Sequence, residues 1–240
     1  MTALVTGAAG SIGNAIIAQL RSEGHAVIAQ DLAPLDHLSA DGVATVVGDL
    51  RDPQCLADLA QAVGFGDVDR VIAAHGVEGS GGLLDRDGAY VRRIMDINAG
   101  TILALLSAVE SQLISTSGTF VVISSQAGLV AERDNLAYCA SKFAIQGWAR
   151  VERPRLRAAG VALRLICPGC TATPILFDAM EKFAVAEGVS TAEFTQRRKD
   201  RIPVRQFASP AQTAASVCFL AEPGAVRPEI FAATGGEVLW

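Results

Sequence analysis

The sequence has little charge and few basic clusters, and this narrows the classes of protein that it can encode. Only 19% of its 240 residues are charged, and the net charge is −5. The basic side chains are dispersed, apart from a short run at 197–199. Because a nucleic-acid-binding protein needs a basic surface, that class is not expected, and the short run is interpreted as a solvated helix face.

Cysteine and histidine are also scarce. The five cysteines form an odd and scattered set, which argues against a disulfide framework. Cys167 and Cys170 have the spacing of a redox motif, but they follow a strand late in the chain and lack the surrounding pattern of a thioredoxin-like unit. The three histidines lack metal-ligand spacing. We therefore expect no metal site and no redox-active disulfide.

Long apolar runs are missing as well. None reaches the roughly 18 residues that are needed to span a bilayer. The chain leads directly into the strand-like segment Ala3–Val5, without the basic region and apolar core of a signal peptide. These absences predict a cytoplasmic protein with no membrane partner.

The apolar content that is present suffices for one large core, since 50% of the residues are hydrophobic. We therefore expect a single domain over 1–240. Strand-like segments alternate with helical patterns, which predicts an α/β fold with a mostly parallel sheet and helices on both faces. The predicted strands are Ala3–Val5, Ala26–Ala29, Ala44–Val47, Asp69–Ala74, 119–123, Val161–Ile166 and Ile230–Ala233.

Helical periodicity predicts five principal helices. Asp52 and Ser209 are placed to cap two of them, and Pro154 should kink or shorten a third. The predicted helices run from the glycine loop to Gly24, from Pro53 to Val63, from Tyr90 to Ser115 with a polar interruption at Asp96–Gly100, from Tyr138 to Ala159, and from Ser209 to Leu220.

A glycine-rich loop, Thr6–Gly13, lies between the first strand and the first helix. Small residues let the backbone turn tightly and approach a ligand, and free N–H groups at a helix start suit a pyrophosphate. The alternative is a glycine-rich turn with no ligand.

Asp31, at the tip of the second strand, is placed to accept hydrogen bonds from an adenosine ribose and to repel a 2′-phosphate. No lysine or arginine lies in the loop or next to Asp31, so NAD is favoured over NADP; the alternative for Asp31 is a loop cap.

Three other polar residues follow strands or interrupt a helix. Asp49 is placed either to bond an adenine amino group or to cap a turn. His75, at the end of the fourth strand, makes a structural hydrogen bond or reaches a ligand. Asn98 lies in the polar interruption of a helix, where such residues are kept for a packing or functional reason, and it contacts a water or a lysine, or bonds locally to the backbone.

The chemistry is carried by Ser125, Tyr138 and Lys142. Ser125 closes an apolar strand, at the end where open α/β sheets place ligands. Tyr138 and Lys142 are four residues apart, which on a helix places them on one face. The lysine charge is then expected to lower the tyrosine pKa, so that the phenol can transfer a proton near neutral pH. The pair alone is weak evidence, because any helix can carry it.

Residues 174–205 combine aromatic side chains with charges and few strand signals. This composition suits a mobile helical flap over a site, although the aromatics can also serve packing alone.

Taken together, these residues resemble the short-chain dehydrogenase/reductase family over essentially the whole chain. Thr6-Gly7-x-x-x-Ser11-Ile12-Gly13 is similar to the family's cofactor loop, and Asn98, Ser125, Tyr138 and Lys142 follow the order and spacing of its catalytic residues. The resemblance implies a Rossmann-like domain whose seven-stranded sheet has the order 3-2-1-4-5-6-7. It also implies a homotetramer, with the helices at 90–115 and 138–159 forming one interface.

The resemblance also implies a set of cofactor-binding residues, in which Pro168-Gly169 with Thr173 is similar to the family's nicotinamide-side motif. The set is Gly7, Ser11, Ile12, Gly13, Asp31, Leu32, Asp49, Leu50, Ala74, Gly76, Tyr138, Lys142, Pro168, Gly169, Thr171 and Thr173.

Three departures from the family pattern stand out. Ser11 replaces the middle glycine of the loop. Ala73-Ala74-His75-Gly76 replaces the common Asn-Asn-Ala-Gly, so the usual asparagine bracing of the sheet is absent and its backbone role falls to Ala74. Thr234 begins a segment that commonly reads Asp-Gly-Gly. None of these changes removes a reacting group.

The leading functional hypothesis is an NAD(H)-dependent oxidoreductase that interconverts a small secondary alcohol and a ketone. By the resemblance, Tyr138 transfers the proton, Lys142 binds the nicotinamide ribose, Ser125 holds the substrate oxygen and Asn98 supports a water. The alternatives are an NADPH-dependent reductase of 3-oxoacyl thioesters and a nucleotide-binding sensor without turnover. Residues near the predicted pocket do not distinguish a small or alicyclic hydroxy compound from a sugar-like polyol; they are Gln126, Gly128, Glu132, Asn135, Cys170 and part of the flap from Pro174.

Overall fold

The computed structural model describes residues 1–38, 42–64, 67–79, 81, 87–133 and 135–238. Its centre is a seven-stranded sheet in which every pairing between the strands is parallel. The order is β3-β2-β1-β4-β5-β6-β7, which confirms the predicted fold class and strand order. The strands are β1 Thr2–Thr6, β2 Ala26–Asp31, β3 Val43–Val47, β4 Val68–Ala73, β5 Thr119–Ile123, β6 Ala162–Pro168 and β7 Ile230–Ala233.

Eight α-helices connect and flank these strands within the described part of the chain. They are α1 Ser11–Ser22, α2 Pro53–Gly64, α3 Gly88–Met95, α4 Thr101–Thr116, α5 Leu136–Ala158, α6 Pro174–Glu187, α7 Thr191–Arg201 and α8 Pro210–Ala221. The predicted caps are confirmed, since Asp52 accepts from the Gln54 amide and Ser209 forms a capping box with Gln212. The glycine-rich composition of 77–88 predicts a loop between β4 and α3, and residues 80 and 82–86 of this segment lie outside the described residues.

The central strands are buried on both faces because alternate side chains enter two separate cores. Leu4 of β1 belongs to a core formed with α2, α4 and α5, whereas its neighbour Val5 belongs to a core formed with α1 and α8. In β4 and β5 every residue is buried. This explains why the central strands read as continuous apolar runs rather than as alternating patterns.

The polar interruption of the long predicted helix is a π-helical turn, Asp96–Gly100, between α3 and α4. The whole stretch Gly88–Thr116 is long and apolar enough to cross a membrane by length and composition alone. Its α4 part, however, lies against the sheet, with Ile102, Leu105 and Leu113 fully buried. The sequence prediction considered only uninterrupted apolar runs and therefore did not identify this stretch. Its apolar side chains contribute to the core of the domain.

Of the two effects expected of Pro154, shortening does not occur, because α5 continues to Ala158. The last turns of α5 are held by side chains on its buried side. Leu156 is fully buried, and the Arg153 guanidinium donates to the backbone carbonyls of Leu163 (3.1 Å) and Glu229 (3.2 Å). These contacts offset the single backbone hydrogen bond that a proline removes.

The chain reverses its direction of strand addition between β1 and β4, which are neighbours in the sheet. Connections from these two strands leave on opposite sides, so a crevice forms beyond their carboxyl ends. The glycine loop follows β1 and His75 follows β4 at this same edge. The fold therefore brings the predicted site residues to one place.

The core assignment predicts the effect of truncating Leu105. Leu105→Ala is expected to lower the free energy of unfolding by about 2–5 kcal/mol, because it removes buried methyl groups and leaves a cavity. Val226→Ala, at a site that is 97% exposed, should change it by less than about 0.5 kcal/mol. Chemical denaturation of both variants checks this, and similar losses in the two would contradict the core assignment.

Candidate active site

A cleft of about 1320 Å³ opens at the carboxyl edge of the sheet. It is lined by every predicted catalytic and cofactor-binding residue except Asn98, and Gly128, which was expected near the substrate, is not in the lining either. One end contains the glycine loop and Asp31, and the cleft also contains Ser125, Tyr138 and Lys142. Residues separated by more than 130 positions in the chain therefore share one cavity.

The glycine loop has no space for side chains at two of its positions. Gly7 has φ of +67°, and a Cβ there would lie 2.7 Å from the backbone nitrogen of His75. A Cβ at Gly13 would lie 2.1 Å from the Gly7 carbonyl oxygen, which packs the start of α1 against the loop. Gly10 precedes α1 and supplies no side-chain cap. The loop thus brings backbone N–H groups and a helix N-terminus to the cleft, an arrangement that fits a pyrophosphate.

The Asp31 carboxylate is fixed beside this loop. One oxygen accepts from the Ala9 amide and the other from the Ala33 amide, each at 2.9 Å. Leu32 follows it and is 67% exposed. The orientation of the carboxylate is set by the backbone, and its remaining lone pairs are available to hydroxyl donors in the cleft.

Asp49 has a partner that the sequence reasoning missed. Its carboxylate accepts from Arg51 through Nε at 3.0 Å and through a terminal nitrogen at 2.5 Å. These hydrogen bonds hold the pKa of Asp49 below its usual value. The carboxylate also accepts from the Arg51 amide, so the turn-capping alternative describes what Asp49 does in this structure. The two-residue spacing of Asp49 and Arg51 in a turn was the sequence signal that could have identified this pair.

Helix α5 and the end of β5 bring the three reactive side chains together. Lys142 is 3% exposed, and its ammonium donates to the Ile123 carbonyl at 3.1 Å, which ties α5 to β5. Its nitrogen lies 5.4 Å from the centre of the Tyr138 ring, one helical turn away. Ser125, two residues beyond Ile123, lies beside the Tyr138 phenol and acts on its pKa by hydrogen bonding. The arrangement places a phenol between a hydroxyl and an ammonium at the cleft surface.

The expectation that Lys142 lowers the pKa of Tyr138 is not met in this structure. Burial dominates and raises the Tyr138 pKa to about 12, although the Ser125 hydrogen bond opposes the rise. Burial likewise lowers the pKa of Lys142 to about 8. The sequence spacing placed the two groups correctly but gave no information on their desolvation, which disfavours the charged form of each.

Asn98 lies in the π-helical turn and is fully buried behind the cleft. Its side-chain oxygen accepts from the Val77 amide at 2.8 Å, and its nitrogen donates to the Val77 carbonyl at 2.9 Å and to the Ser141 hydroxyl at 3.1 Å. It therefore fastens the segment after β4 to α5, one residue before Lys142. These backbone bonds reach a segment 21 residues away in the chain, so they are not the local bonds of the alternative interpretation.

His75 bridges the cleft floor between two hydroxyl groups. The Thr101 hydroxyl donates to the Ile97 carbonyl (2.6 Å), so it accepts from His75 Nε2–H at 2.9 Å; Nδ1 then accepts from the Thr6 hydroxyl at 2.6 Å. Burial, aided by the charge of Lys142, lowers the His75 pKa to about 3 and keeps the ring neutral. The histidine thereby supplies a side-chain brace where the family asparagine is absent.

The segment after β6 also lines the cleft, but two of its side chains have other partners. The Thr171 hydroxyl is 3.0 Å from that of Thr213 on α8, and the Thr173 hydroxyl caps α6 by accepting from the Leu176 amide at 3.3 Å. Pro168 ends β6, and Gly169 follows it at the cleft surface. Because the Thr173 hydroxyl only accepts in its capping bond, its O–H group can still donate to a ligand, as can the backbone groups of this segment.

The predicted flap consists of α6 and α7, whose Phe183 and Phe194 rings stack at 6.0 Å. Arg198 of α7 pairs with Glu237 at 2.6 Å, and both side chains line the cleft. A second ion pair joins Lys182 of α6 to Glu78. The sequence reasoning missed these contacts, because 39 residues separate Arg198 from Glu237 and nothing in the pattern pairs them.

The fold and its cleft define a dinucleotide-binding α/β protein. Residues 1–182 match the family model described as short chain dehydrogenase. The chain is 31% identical to 2-(S)-hydroxypropyl-CoM dehydrogenase 3 of Xanthobacter autotrophicus, over 97% of this chain and 94% of that protein. It is 30% identical to D-threitol dehydrogenase of Mycolicibacterium smegmatis, over 93% and 86% respectively.

Among solved structures, sorbitol-6-phosphate 2-dehydrogenase SrlD from Erwinia amylovora superposes with a TM-score of 0.93. The superposition covers 99% of this chain and 100% of that chain at 20% identity. At this level of identity the likeness shows the fold alone. The chain belongs to the short chain dehydrogenase family, whose members are oxidoreductases that bind a nicotinamide cofactor. The resemblance read from the sequence is confirmed.

The neutrality of His75 predicts a pH-dependent stability. In the unfolded chain His75 takes up a proton near pH 6.5, whereas the folded protein resists protonation down to about pH 3. The unfolded state therefore binds more protons in this range, and stability falls as the pH falls. Lowering the pH from 7 to 5 should therefore reduce the free energy of unfolding by about 2 kcal/mol through this group. His75→Gln, which cannot titrate, should lack this component in parallel denaturation experiments; an equal pH dependence in both proteins would contradict the assignment.

Proposed function

We propose that this protein is an NAD(H)-dependent oxidoreductase that interconverts a secondary alcohol and a ketone. The observation that carries the proposal is the convergence of Ser125, Tyr138 and Lys142 in the same cleft as the glycine loop and Asp31. The loop fits the pyrophosphate because a Cβ at Gly7 or Gly13 would collide with backbone. Asp31 suits a ribose with free hydroxyls.

The bound nicotinamide supplies the hydride acceptor for the alcohol or the hydride donor for the ketone. The protein's part is to hold the substrate oxygen and to move its proton. In oxidation, the O–H bond of the alcohol breaks and the phenolate form of Tyr138 takes the proton as the carbinol C–H bond yields its hydride and the C=O bond forms. In reduction, the Tyr138 phenol returns the proton to the oxygen. Such general acid–base catalysis is worth about 10²–10⁴ in rate.

Ser125 and Lys142 prepare this proton transfer. The Ser125 hydroxyl, which hydrogen-bonds to Tyr138, is placed to hold the same substrate oxygen. With a pKa of about 8, Lys142 is mainly charged at pH 7, and its charge stabilises a phenolate formed nearby. Asn98 positions the backbone at Val77 and contacts Ser141 beside the lysine. We assign it a positioning role.

The preference for NAD rests on Asp31. Its carboxylate is held at the loop by the amides of Ala9 and Ala33, so it cannot turn away from a 2′-phosphate without losing two hydrogen bonds. Arg51 also lines this end of the cleft, but its guanidinium is paired with Asp49. A negative charge beside the ribose disfavours NADP, which also argues against the NADPH-dependent thioester reductase.

We further propose a homotetramer in the cytoplasm, with α6 and α7 acting as a mobile flap. Support for assembly comes from exposed apolar side chains on α4 and α5, among them Leu103, Phe143 and Val151. Support for the flap comes from the position of α6 and α7 along the cleft, which Met180, Phe183 and Phe194 line.

The role of Tyr138 is tested by removing its hydroxyl. Tyr138→Phe should lower kcat by more than about a hundredfold, because the proton then has no acceptor, while the Kd for NAD stays within about threefold. Steady-state rates with secondary alcohols and NAD titrations measure the two effects. Tyr90→Phe, at the other tyrosine, is the matched control and should retain activity. Unchanged turnover in Tyr138→Phe would refute the assignment, and a wild type that binds NAD but reduces it with no alcohol would favour the sensor.

Cofactor choice is tested at Asp31. The wild type should have a kcat/KM for NADH at least about tenfold above that for NADPH, since one charge-assisted hydrogen bond is worth about 1.5–3 kcal/mol. Asp31→Asn should reduce that ratio by about tenfold or more, because it removes the charge and keeps the shape. A wild-type preference for NADPH would overturn the NAD proposal and revive the thioester reductase.

A further inference from the structure

The segment that precedes α5 places a carboxylate next to the proposed proton donor. Glu132 lines the cleft and is half-buried. Its charge acts on Tyr138 and on Cys170, and it raises the pKa of both. It therefore lies where a substrate held by Ser125 and Tyr138 would extend.

Two amide side chains orient the Glu132 carboxylate, one at each oxygen. Gln126 Nε2 donates to Oε1 at 3.0 Å, and Asn135 Nδ2 donates to Oε2 at 3.0 Å. Because a carboxylate only accepts, the amide atoms that face it must be nitrogens, which fixes both side-chain orientations. Gln126 is 4% exposed, so this support is rigid.

The backbone of Glu132 is also attached to α5. Its amide donates to the Cys139 sulfur at 3.4 Å, and the thiol points back to the Glu132 carbonyl at 3.8 Å. Cys139 is the residue after Tyr138. The carboxylate and the phenol are thus held in a fixed relation by the same turn of helix.

The donors to Glu132 are neutral amides, so they orient the charge without neutralising it. An ionised carboxylate has about four acceptor positions, and the two amides occupy two of them. A substrate that displaces water from the others must donate hydrogen bonds in return, because an unpaired acceptor in a closed site is costly. A hydroxyl group meets this requirement, whereas a second carboxylate would be repelled.

The charge of Arg198 does not offset this preference. Arg198 lines the same cleft, but its guanidinium pairs with Glu237 at 2.6 Å and contacts the Cys170 sulfur at 3.2 Å. Both side chains of the ion pair are largely buried, at 15% and 13% exposure. The Arg198 charge is therefore balanced by the Glu237 carboxylate within the protein.

We propose that Glu132, held by Gln126 and Asn135, is a hydroxyl-recognition subsite that selects substrates with a second hydroxyl next to the reacting carbinol. The substrate class is then a vicinal diol or a polyol, and anionic hydroxy acids are disfavoured. This inference rests on the proposed alcohol oxidoreductase function and adds the substrate class to it.

Three matched probes test the inference: 2-butanol, 2,3-butanediol and 3-hydroxybutyrate, each with NAD and the complete protein. The wild type should oxidise the diol with a kcat/KM at least about tenfold above that for 2-butanol, as expected for a site built to bond a substrate hydroxyl. Glu132→Gln should lower the ratio of the diol value to the 2-butanol value by about tenfold or more, because any change in the Tyr138 pKa acts on both alcohols alike. It should also raise the value for 3-hydroxybutyrate, because the repulsion is removed.

These opposite changes in kcat/KM for the diol and for 3-hydroxybutyrate distinguish a loss of hydroxyl recognition from structural damage, which would lower all three values together. Glu222→Gln, at a side chain that is 54% exposed near Arg70, is the matched control and should leave the three ratios unchanged. Asn135→Ala keeps the charge but removes one support, so it should weaken the diol preference by less than Glu132→Gln does. It provides a second test if Glu132→Gln folds poorly.

The failures are distinguishable. If no alcohol is oxidised by the wild type, the proposed function itself fails. If the wild type oxidises 2-butanol and the diol equally well, or if Glu132→Gln lowers both by the same factor, the subsite is overturned while the oxidoreductase remains.

Discussion

The arrangement of the site depends on the burial of one ammonium group. Lys142 enters the junction between β5 and α5, where it donates to the Ile123 carbonyl. A buried lysine without a carboxylate partner is unfavourable, and the cost appears as the lowering of its pKa to about 8. That placement fixes the rotation of α5 about its axis, and Tyr138 then faces the cleft one turn away, next to Ser125. The same side chain contributes to the neutrality of His75.

A second set of contacts joins the nucleotide end of the cleft to the reacting end. His75 connects Thr6, just before the glycine loop, to Thr101, which bonds Ile97 in the π-helical turn. From that turn Asn98 reaches Val77 and Ser141. In this π turn the Ile97 carbonyl accepts from Thr101, while the Asn98 side chain bonds Val77 and Ser141. Turns of this kind occur frequently at functional sites. The family pattern uses asparagine for bracing, and this chain achieves it with a histidine and two threonines.

Much of the fold was predictable because its signals are local. The apolar runs gave all seven strands within about two residues at each end, and Asp52 and Ser209 marked helix starts through the hydrogen bonds that their side chains make. Site residues at strand ends were also predictable, since parallel strands finish at one edge. Pro154 illustrates the limit of local signals, because tertiary contacts of Arg153 and Leu156 keep the helix intact beyond it. Glu132, Gln126 and Asn135 were expected near the pocket, but the hydrogen bonds among them were not predicted. The Arg198–Glu237 pair depends on long-range packing and had no sequence signal. Neither did the desolvation of Tyr138, which reverses the expected direction of its pKa shift.

The raised pKa of Tyr138 makes the direction of proton transfer measurable. The protonated phenol donates the proton in the reduction of a ketone, whereas oxidation of an alcohol requires the phenolate as proton acceptor and should therefore be favoured by alkaline pH. The most direct test is the pH dependence of kcat/KM for 2-butanol oxidation with NAD and for 2-butanone reduction with NADH. The account predicts that oxidation becomes faster from pH 7 to pH 10 while reduction does not. An oxidation rate that stays flat or falls over this range would contradict the assignment of Tyr138 as the proton-transferring group.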